Sequence, residues 1–277
     1  MVLRPGFLTV PRRSRTRVLD SVSGIAAAYG LRRLLSGYVG PMVRVRRSSD
    51  NAETDIFTLG DEGLDTQTLL AFVTTADAFV SRWYDQSGNG RNVIQSLATR
   101  QPRLVISGLL QTDSGSRPAL NFRGASDVLE HPGFSQSQPY AYHVVWRPVS
   151  IIGYGGGEVI IAGNAAGPYA SLSFRNDRLF IFAGTSLQIL QNPLSAPHVT
   201  AAVFNGAGSL LRDNGIQVTG NVGTAQDPRS SLGIGAYAGN GSQSSDSFIQ
   251  EVVVLNGVPD TASLLAIEAN QKSWFGL

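Results

Sequence analysis

The residues best suited to chemistry are tyrosines and polar side chains in predicted loops of the second half of the chain. Tyr154, Tyr169 and Tyr237 each lie within two residues of a glycine, where turns are expected. An exposed ring can stack on the apolar face of a sugar while amide and carboxylate groups bond its hydroxyls. The polar loop from Asn240 to Asp246 supplies such groups. These residues predict a carbohydrate-binding surface, and the more common role of a tyrosine at such a position, an ordinary residue at a sheet edge, stays open as the alternative.

The titratable side chains do not form a recognisable catalytic set. Asp177 lies in a predicted Asn-Asp turn and Asp246 in a polar loop, where aspartate is common for backbone reasons. The histidines, His131, His143 and His198, lack the spacing of a zinc site, and the chain has no cysteine. We therefore expect no catalytic residue, no metal and no cofactor.

The N-terminal segment is basic, although the formal net charge of the chain is only +2. Such a segment could contact nucleic acid or an acidic surface, but no nucleic-acid-binding motif accompanies it, so nucleic acid is not an expected partner. Pro5 and Pro11 leave too short an apolar run for a signal peptide, and no apolar run approaches the roughly 18 residues of a membrane span. We expect residues 1–22 to form an extended anchoring arm and residues 23–277 to form one domain. The arginines assigned to the arm are Arg4, Arg12, Arg13, Arg15 and Arg17.

The elements that must position these residues are mostly strands. Helices are predicted over residues 24–35, 64–80 and 261–272, because apolar residues recur three and four apart. Apolar and basic residues alternate over residues 41–47, as in a half-buried strand. Asn214 and Gly215 suit the positive φ angles of a type I′ hairpin. Further strands are predicted at Tyr142–Trp146, Val159–Ala162, Leu179–Phe182 and Phe248–Leu255. Many short strands and few helices predict an all-β sandwich of two antiparallel sheets.

Two stretches carry a resemblance to a known family. Residues 28–34, 43–51 and 83–92, the last reading Trp-Tyr-Asp-Gln-Ser-Gly-Asn-Gly-Arg-Asn, resemble the opening of the arabinofuranosidase B catalytic domain. Residues 199–206, 214–215, 232–235 and 249–254 are similar to its later strands. The resemblance implies a concanavalin A-like jelly roll, in which the Asp85 block shapes a turn. The same pattern also recurs in bacteriophage tail and virion-surface proteins.

The chain departs from the family at the two positions that carry its chemistry. Retaining hydrolysis needs two carboxyl groups about 5 Å apart. The resemblance places the family's nucleophilic glutamate at Arg175 and its acid/base aspartate at Tyr237. Arg175 and Asp177 therefore join the tyrosines, Asn240 and Asp246 as candidate sugar-binding residues rather than catalytic ones.

These features predict a non-enzymatic virion structural protein of a bacteriophage, located on the tail, neck or capsid surface. Its expected partners are other virion proteins, bound through the arm, and a host surface glycan, with a homo-oligomer, a trimer above all, as the expected assembly. Two alternatives stay open. The first is an arabinofuranosidase-like glycoside hydrolase using displaced carboxylates such as Asp177, Asp246 or Glu251. The second is a stand-alone carbohydrate-binding module.

Overall fold

The chain folds almost entirely into β-strands, which confirms the all-β prediction. The computed structural model describes residues 17–60, 63–164, 170–224 and 231–277. Within those ranges, pairing joins nineteen strands into one hydrogen-bonded network, and β4 and β5 form a separate pair. The strands are β1 Ile25–Gly30, β2 Val43–Arg47, β3 Glu53–Ile56, β4 Thr58–Leu59, β5 Gly63–Leu64, β6 Ala78–Trp83, β7 Val93–Ile94, β8 Arg103–Ile106, β9 Leu109–Leu110, β10 Leu120–Arg123, β11 Leu129–Pro132, β12 Tyr140–Pro148, β13 Glu158–Ala162, β14 Ser171–Arg175, β15 Arg178–Phe182, β16 Ser186–Leu190, β17 His198–Phe204, β18 Ser209–Asp213, β19 Ile216–Gly220, β20 Ser231–Ile234 and β21 Asp246–Asn256.

The centre of the network is the long strand β12, which lies between β17 and β21 in antiparallel register. Alternate side chains of β12 enter two different clusters, because successive residues of a strand point to opposite faces. Tyr142 and Val144 pack in the main core. Ala141 packs on the other face, against Leu264 and Ile267. The central strands are therefore covered on both faces.

Two α-helices are present in the described ranges, α1 at Thr66–Val73 and α2 at Thr261–Phe275. Each begins after an aspartate, Asp65 or Asp260, whose carboxylate accepts a hydrogen bond from a backbone N–H of the first turn, the expected N-cap arrangement. The predicted terminal helix is confirmed, and the second predicted helix is shorter than residues 64–80. Neither helix is long and apolar enough to cross a bilayer.

The helix predicted over residues 24–35 is wrong. Residues Ile25–Gly30 form β1, which pairs antiparallel with β21. Ala26, Ala27 and Ala28 are fully buried, so they occupy a strand covered on both faces. Tertiary pairing therefore overrides the helix preference of alanine.

The hairpin predicted around Asn214 is confirmed. Strands β18 and β19 pair from Ser209 with Gly220 to Asp213 with Ile216. Asn214 has φ +50° and Gly215 has φ +99°, the two positive values that a type I′ turn requires. The strand predicted over residues 41–47 is likewise present as β2.

Candidate functional site

One face of the sheet formed by β14, β15 and β16 packs in the core, and the opposite face forms a pocket. The core-facing side chains are Leu172, Phe174, Leu179, Ile181 and Ile189. The residues between them point the other way, because side chains alternate along a strand. The pocket has a volume of about 260 Å³. Its described lining is Gly156, Ser171, Arg175, Arg178, Phe180, Phe182, Ser186, Gln188 and Tyr237. We call it the Arg175 pocket.

Arg175 and Arg178 face each other across the hairpin that joins β14 to β15. The guanidinium of Arg178 donates to both carboxylate oxygens of Asp177, from Nε at 2.8 Å and from Nη2 at 2.5 Å. Its Nη1 donates to Oε1 of Gln188 at 2.8 Å. The hydrogen bond from Arg178 lowers the pKa of Asp177. Asp177 is therefore ionised at neutral pH and balances the charge of Arg178.

Arg175 is placed differently from its neighbour. Its guanidinium carbon lies 5.5 Å from the centre of the Phe180 ring, within the range of a cation–π contact. Its Nε is buried and has no hydrogen-bond partner in the structure. This Nε is therefore shielded from solvent and unpaired within the described residues.

Tyr237 reaches the same pocket from the loop that follows β20. Its side chain is buried against Val159 and Ala162, and its backbone N–H donates to the carbonyl of Ser242 at 3.1 Å. Gly235, two residues earlier, has φ +88° and lies so close to Phe122 that a Cβ would stand 2.1 Å from its ring. A glycine is therefore required at the turn that directs Tyr237 to the pocket.

Two further carboxylates, Glu158 and Asp246, lie near the pocket without lining it. Glu158 pairs with Phe174, whose ring is in the core, so its side chain points away from the pocket. One Glu158 oxygen accepts from the backbone N–H groups of Ile152 and Gly153, at 2.5 and 3.2 Å, and burial raises the pKa of Glu158. Asp246 accepts from the Ser150 hydroxyl. Both carboxylates therefore hold the loop before β13.

The other predicted site residues lie apart from the pocket lining. Tyr154 is half-buried, and its carbonyl accepts from Gly157. Asn240 is exposed, and its side-chain oxygen accepts from the Ser242 N–H at 2.9 Å, within a turn. Glu251 is buried and bonded to Arg32 at 2.7 Å, so a substrate cannot reach it. Tyr169, Arg4, Arg12, Arg13 and Arg15 lie outside the described residues, and the Arg17 N–H donates to Asp20.

The Asp85 block, residues 83–92, forms a turn that is held by hydrogen bonds to the Asp85 carboxylate. One carboxylate oxygen accepts from the N–H groups of Ala28 and Ser87, both at 2.9 Å. The other accepts from the N–H of Arg91 at 3.0 Å and from the Ser87 hydroxyl at 2.8 Å. These protein donors use the acceptor capacity of the carboxylate. Across the described ranges, no cluster of three or more His, Cys, Asp or Glu side chains is arranged to hold a metal ion.

Several residues of the pocket were not identified from the sequence, notably Arg178, Phe180 and Gln188. The alternation of apolar and polar residues along β14 to β16 was the available signal. That alternation does not reveal which face of the sheet is covered by the core, and so could not distinguish the pocket face.

The fold is that of an all-β protein, and comparison with known proteins finds a family model and solved structures to which parts of it are similar. The family model described as "Alpha-L-arabinofuranosidase B, catalytic" matches residues 20–112. The alpha-L-arabinofuranosidase B of Emericella nidulans is 38% identical over 73 residues, which are 26% of this chain and 14% of that protein. The chain thus spans a small part of this relative.

Solved structures extend the likeness to the fold of most of the chain. A mutant GH54 α-L-arabinofuranosidase soaked with 4-nitrophenyl α-L-arabinofuranoside superimposes with a TM-score of 0.69 at 14% identity, covering 91% of this chain and 63% of that one. An arabinofuranosidase complexed with arabinofuranosyl-α-1,2-xylobiose gives a TM-score of 0.65 at 16% identity, with the same coverages. At these identities the likeness concerns the fold.

These matches correct the function expected from the sequence. The prediction of a non-enzymatic bacteriophage structural protein is wrong, because the family match and the structural neighbours are glycoside hydrolases. Nothing in the comparisons indicates a virion. That prediction rested on the pattern shared with virion proteins, on the missing carboxylates at Arg175 and Tyr237 and on the basic N-terminal segment. The resemblance to the arabinofuranosidase B catalytic domain is supported.

Proposed function

We propose that the protein is a glycoside hydrolase of the arabinofuranosidase type and that its sugar binds in the Arg175 pocket. The observation that carries this proposal is the meeting of Arg175 and Tyr237 in one pocket. These residues are far apart in the sequence, and the resemblance places both at positions where the family has its catalytic carboxylates. The likeness also favours a concanavalin A-like jelly roll of two antiparallel sheets as the arrangement of the strands.

The pocket offers the contacts that a sugar needs. The rings of Phe180, Phe182 and Tyr237 supply apolar surface for the carbon-bound hydrogens of a sugar ring. Gln188 and Ser171 supply an amide and a hydroxyl that can bond sugar hydroxyls. The volume of about 260 Å³ is slightly below the range of ligand pockets, which begins at about 300 Å³. This size favours one sugar residue over a longer segment of glycan.

For hydrolysis we assign the role of general base to Asp177 and the role of general acid to Tyr237. Asp177 lies in the turn between β14 and β15, next to the pocket residue Arg178, and we assign its carboxylate to take a proton from the attacking water. The phenol of Tyr237 can donate a proton to the leaving oxygen as the glycosidic bond breaks. Water thus adds across the bond: its hydroxyl joins the sugar carbon, and the leaving oxygen gains a proton. The proton taken by Asp177 later returns to Tyr237 through solvent.

The composition of the pocket favours carbohydrate binding as a second function. None of the residues identified in its described lining is an aspartate or glutamate, and two are arginines. A site built from guanidinium, amide and aromatic groups suits recognition of a glycan. Binding and cleavage therefore need separate measurements.

The test is release of 4-nitrophenol from 4-nitrophenyl α-L-arabinofuranoside by the full chain, its Asp177→Asn and Tyr237→Phe variants, and an Asp50→Asn control. Asp50 matches Asp177 closely, since it is 49% exposed against 51% and is also paired with an arginine. We expect release by the wild-type chain and a loss of roughly 10²-fold or more in Asp177→Asn and in Tyr237→Phe, the usual contribution of a general acid or base. Asp50→Asn should keep the wild-type rate.

Two outcomes would contradict the proposal in different ways. Equal losses in Asp177→Asn and Asp50→Asn would show that Asp177 has no catalytic role. Absence of release, together with chemical-shift changes on adding an arabinofuranosyl oligosaccharide, would refute hydrolysis of this linkage and leave the binding function.

A further inference from the structure

A second pocket lies on the outer face of strands β2, β3, β6 and β7, and its described lining includes three arginines, Arg44, Arg46 and Arg82, and one acid, Glu53. It shares no described lining residue with the Arg175 pocket. We call it the Arg82 pocket, and we infer that it binds the phosphate or sulfate group of a small ester. The inference goes beyond the proposed hydrolysis and does not depend on it.

The strands place two of these arginines side by side. Val43 and Val45 of β2 pack in the main core, so Arg44 between them points to the outer face. Arg82 lies directly opposite Arg44 in the antiparallel pairing of β2 with β6. Like charges in directly opposite positions of a sheet destabilise it. An anion bound beside the two guanidinium groups would reduce this repulsion.

The charges around the pocket do not balance. The Arg44 guanidinium donates to both oxygens of Asp55, at 2.8 Å each. This hydrogen bonding is the main cause of the lowered pKa of Asp55, and the charge of Arg82 lowers it further. Glu53 pairs with Arg46 across β2 and β3, and its charge offsets part of the effect of burial, which lowers the pKa of Arg46. Three guanidinium groups therefore share two carboxylates, which leaves one positive charge in excess.

Neutral groups hold Arg46 in place. Its Nε donates to Oε1 of Gln101 and its Nη1 to Oδ1 of Asn51, both at 2.8 Å, and its Nη2 lies 3.5 Å from the Ala98 carbonyl. Gln101 is only 2% exposed and donates to the Gln95 carbonyl at 2.7 Å. A guanidinium has five N–H donors, so Arg46 is fixed without an ion pair and keeps donors for a ligand.

Arg82 is the most available donor of the pocket. It is half-buried, and its guanidinium carbon lies 5.5 Å from the centre of the Tyr84 ring. Within the described part of the chain its side chain makes no hydrogen bond, and its nitrogens stay open to solvent. The unused hydrogen-bonding groups are therefore mostly positively charged donors, which suit a ligand with several negatively charged acceptor oxygens.

A phosphate or sulfate ester meets this requirement. Its three terminal oxygens can accept from more than one guanidinium, and two of them match the planar fork of a single arginine. The pocket volume of about 320 Å³ falls within the range of ligand pockets, which begins at about 300 Å³. A ligand with an organic group the size of a sugar beside the anion therefore fits better than the inorganic ion alone.

The decisive experiment titrates the full chain with glucose 6-phosphate, glucose 6-sulfate, inorganic phosphate and glucose, by calorimetry or nuclear magnetic resonance at low salt. We expect at least one ester to bind about tenfold or more tightly than glucose, because only the esters offer charged acceptors. We expect inorganic phosphate to bind more weakly than the preferred ester. Comparison of the two esters distinguishes a phosphate from a sulfate ligand. Binding should weaken in high salt, because it is largely electrostatic.

Three variants test the assigned residues. Arg82→Gln should weaken ester binding by about tenfold or more, because charge-assisted hydrogen bonds are lost. Glu53→Gln should strengthen it, because a carboxylate that repels the anion is removed. Arg117→Gln is the matched control, since Arg117 also lies over an aromatic ring, 4.2 Å from the centre of Trp274, and its side chain makes no hydrogen bond with a described residue. We expect Arg117→Gln to bind the ester as the wild-type chain does.

The melting temperature of the unliganded variants separates binding from a structural role. Arg82→Gln removes the repulsion with Arg44, so it should melt at or above the temperature of the wild type. A marked fall in its melting temperature would show that Arg82 is retained for stability and would contradict the inference.

Several binding results would also overturn the inference. These are equal affinity for the esters and glucose, unchanged ester binding in folded Arg82→Gln, an equal loss in Arg117→Gln, or weaker binding in Glu53→Gln. Inorganic phosphate that binds as tightly as either ester would refute an ester ligand in favour of the free ion. A failed 4-nitrophenol assay bears on the Arg175 pocket alone, so the two proposals fail separately.

Discussion

His143 provides a pH-dependent stability that can be worked out from its surroundings. It lies in the middle of β12, opposite Ala201 of β17 and Val253 of β21. Its ring is fully buried, and neither nitrogen has a hydrogen-bond partner. Burial lowers its pKa from 6.5 to about 4, and the attraction of Glu268 offsets part of that shift. The folded protein therefore holds His143 neutral at pH values where the unfolded chain protonates it.

The magnitude follows from the difference between the two pKa values. Each pKa unit corresponds to about 1.4 kcal/mol. A change in the pKa of His143 from 6.5 to about 4 therefore contributes at most about 3 kcal/mol to the free energy of unfolding. The folded-state pKa is the lower one, so the unfolded chain binds more protons between these values. This contribution is thus fully present above pH 6.5 and is lost as the pH falls towards 4.

The assay is urea unfolding followed by tryptophan fluorescence, at intervals from pH 7.5 to 4. The wild-type chain is compared with His143→Leu and with a His131→Gln control, since His131 is half-buried and its Nδ1 contacts the Asn92 carbonyl. We expect the free energy of unfolding of the wild type and the control to fall by about 3 kcal/mol more than that of His143→Leu. Parallel pH profiles for all three proteins would refute the argument that buried, neutral His143 is the cause.

Two further predictions concern buried carboxylates. Asp213→Ala should lower the free energy of unfolding, measured by urea titration, by about 3–5 kcal/mol. The reason is that the Asp213 carboxylate accepts a hydrogen bond from the Thr200 hydroxyl and contacts His198 in the core. A loss below about 1 kcal/mol, typical of a surface pair, would contradict this prediction. Asp85→Asn should cost about 1–3 kcal/mol, because an amide nitrogen would then face a backbone donor such as the N–H of Ala28. Calcium or a chelator should leave the melting temperature of the wild type unchanged; a rise with calcium would show that the turn binds the ion.

The strands and the helix caps were the part of the fold that the sequence could predict, because their signals are local. Asn214 and Gly215 can adopt positive φ angles, and Asp260 can cap α2, whatever the rest of the chain does. The strand β1 was misassigned because Ala26 and its neighbours favour a helix in isolation. Only pairing with β21, more than two hundred residues later, makes this segment a strand. The predicted boundary of an arm at residue 22 and its role as an anchor stay predictions.

The site could be predicted only in part for a similar reason. Arg175 and Tyr237 were singled out by resemblance, and the structure brings them together in one pocket. Arg178 and Phe180 were missed because their role depends on which face of the hairpin is left outside the core. Glu158 was missed too, since its burial is set by a loop folding over it. Local sequence patterns identify a strand with alternating apolar and polar residues, but tertiary packing determines which face of that strand lines the pocket.

Strand β21 follows the other described strands along the chain, and this position affects folding during synthesis. This strand pairs with β1, β10 and β12, which precede it by very different lengths of chain. During synthesis β1, β10 and β12 each lack this pairing partner until residue 256 has left the ribosome, although β10 also pairs with β8 and β12 with β17. Contacts between such distant segments also slow folding, because long loops must close first. Strand edges that await β21 are therefore open to aggregation until that strand has been made.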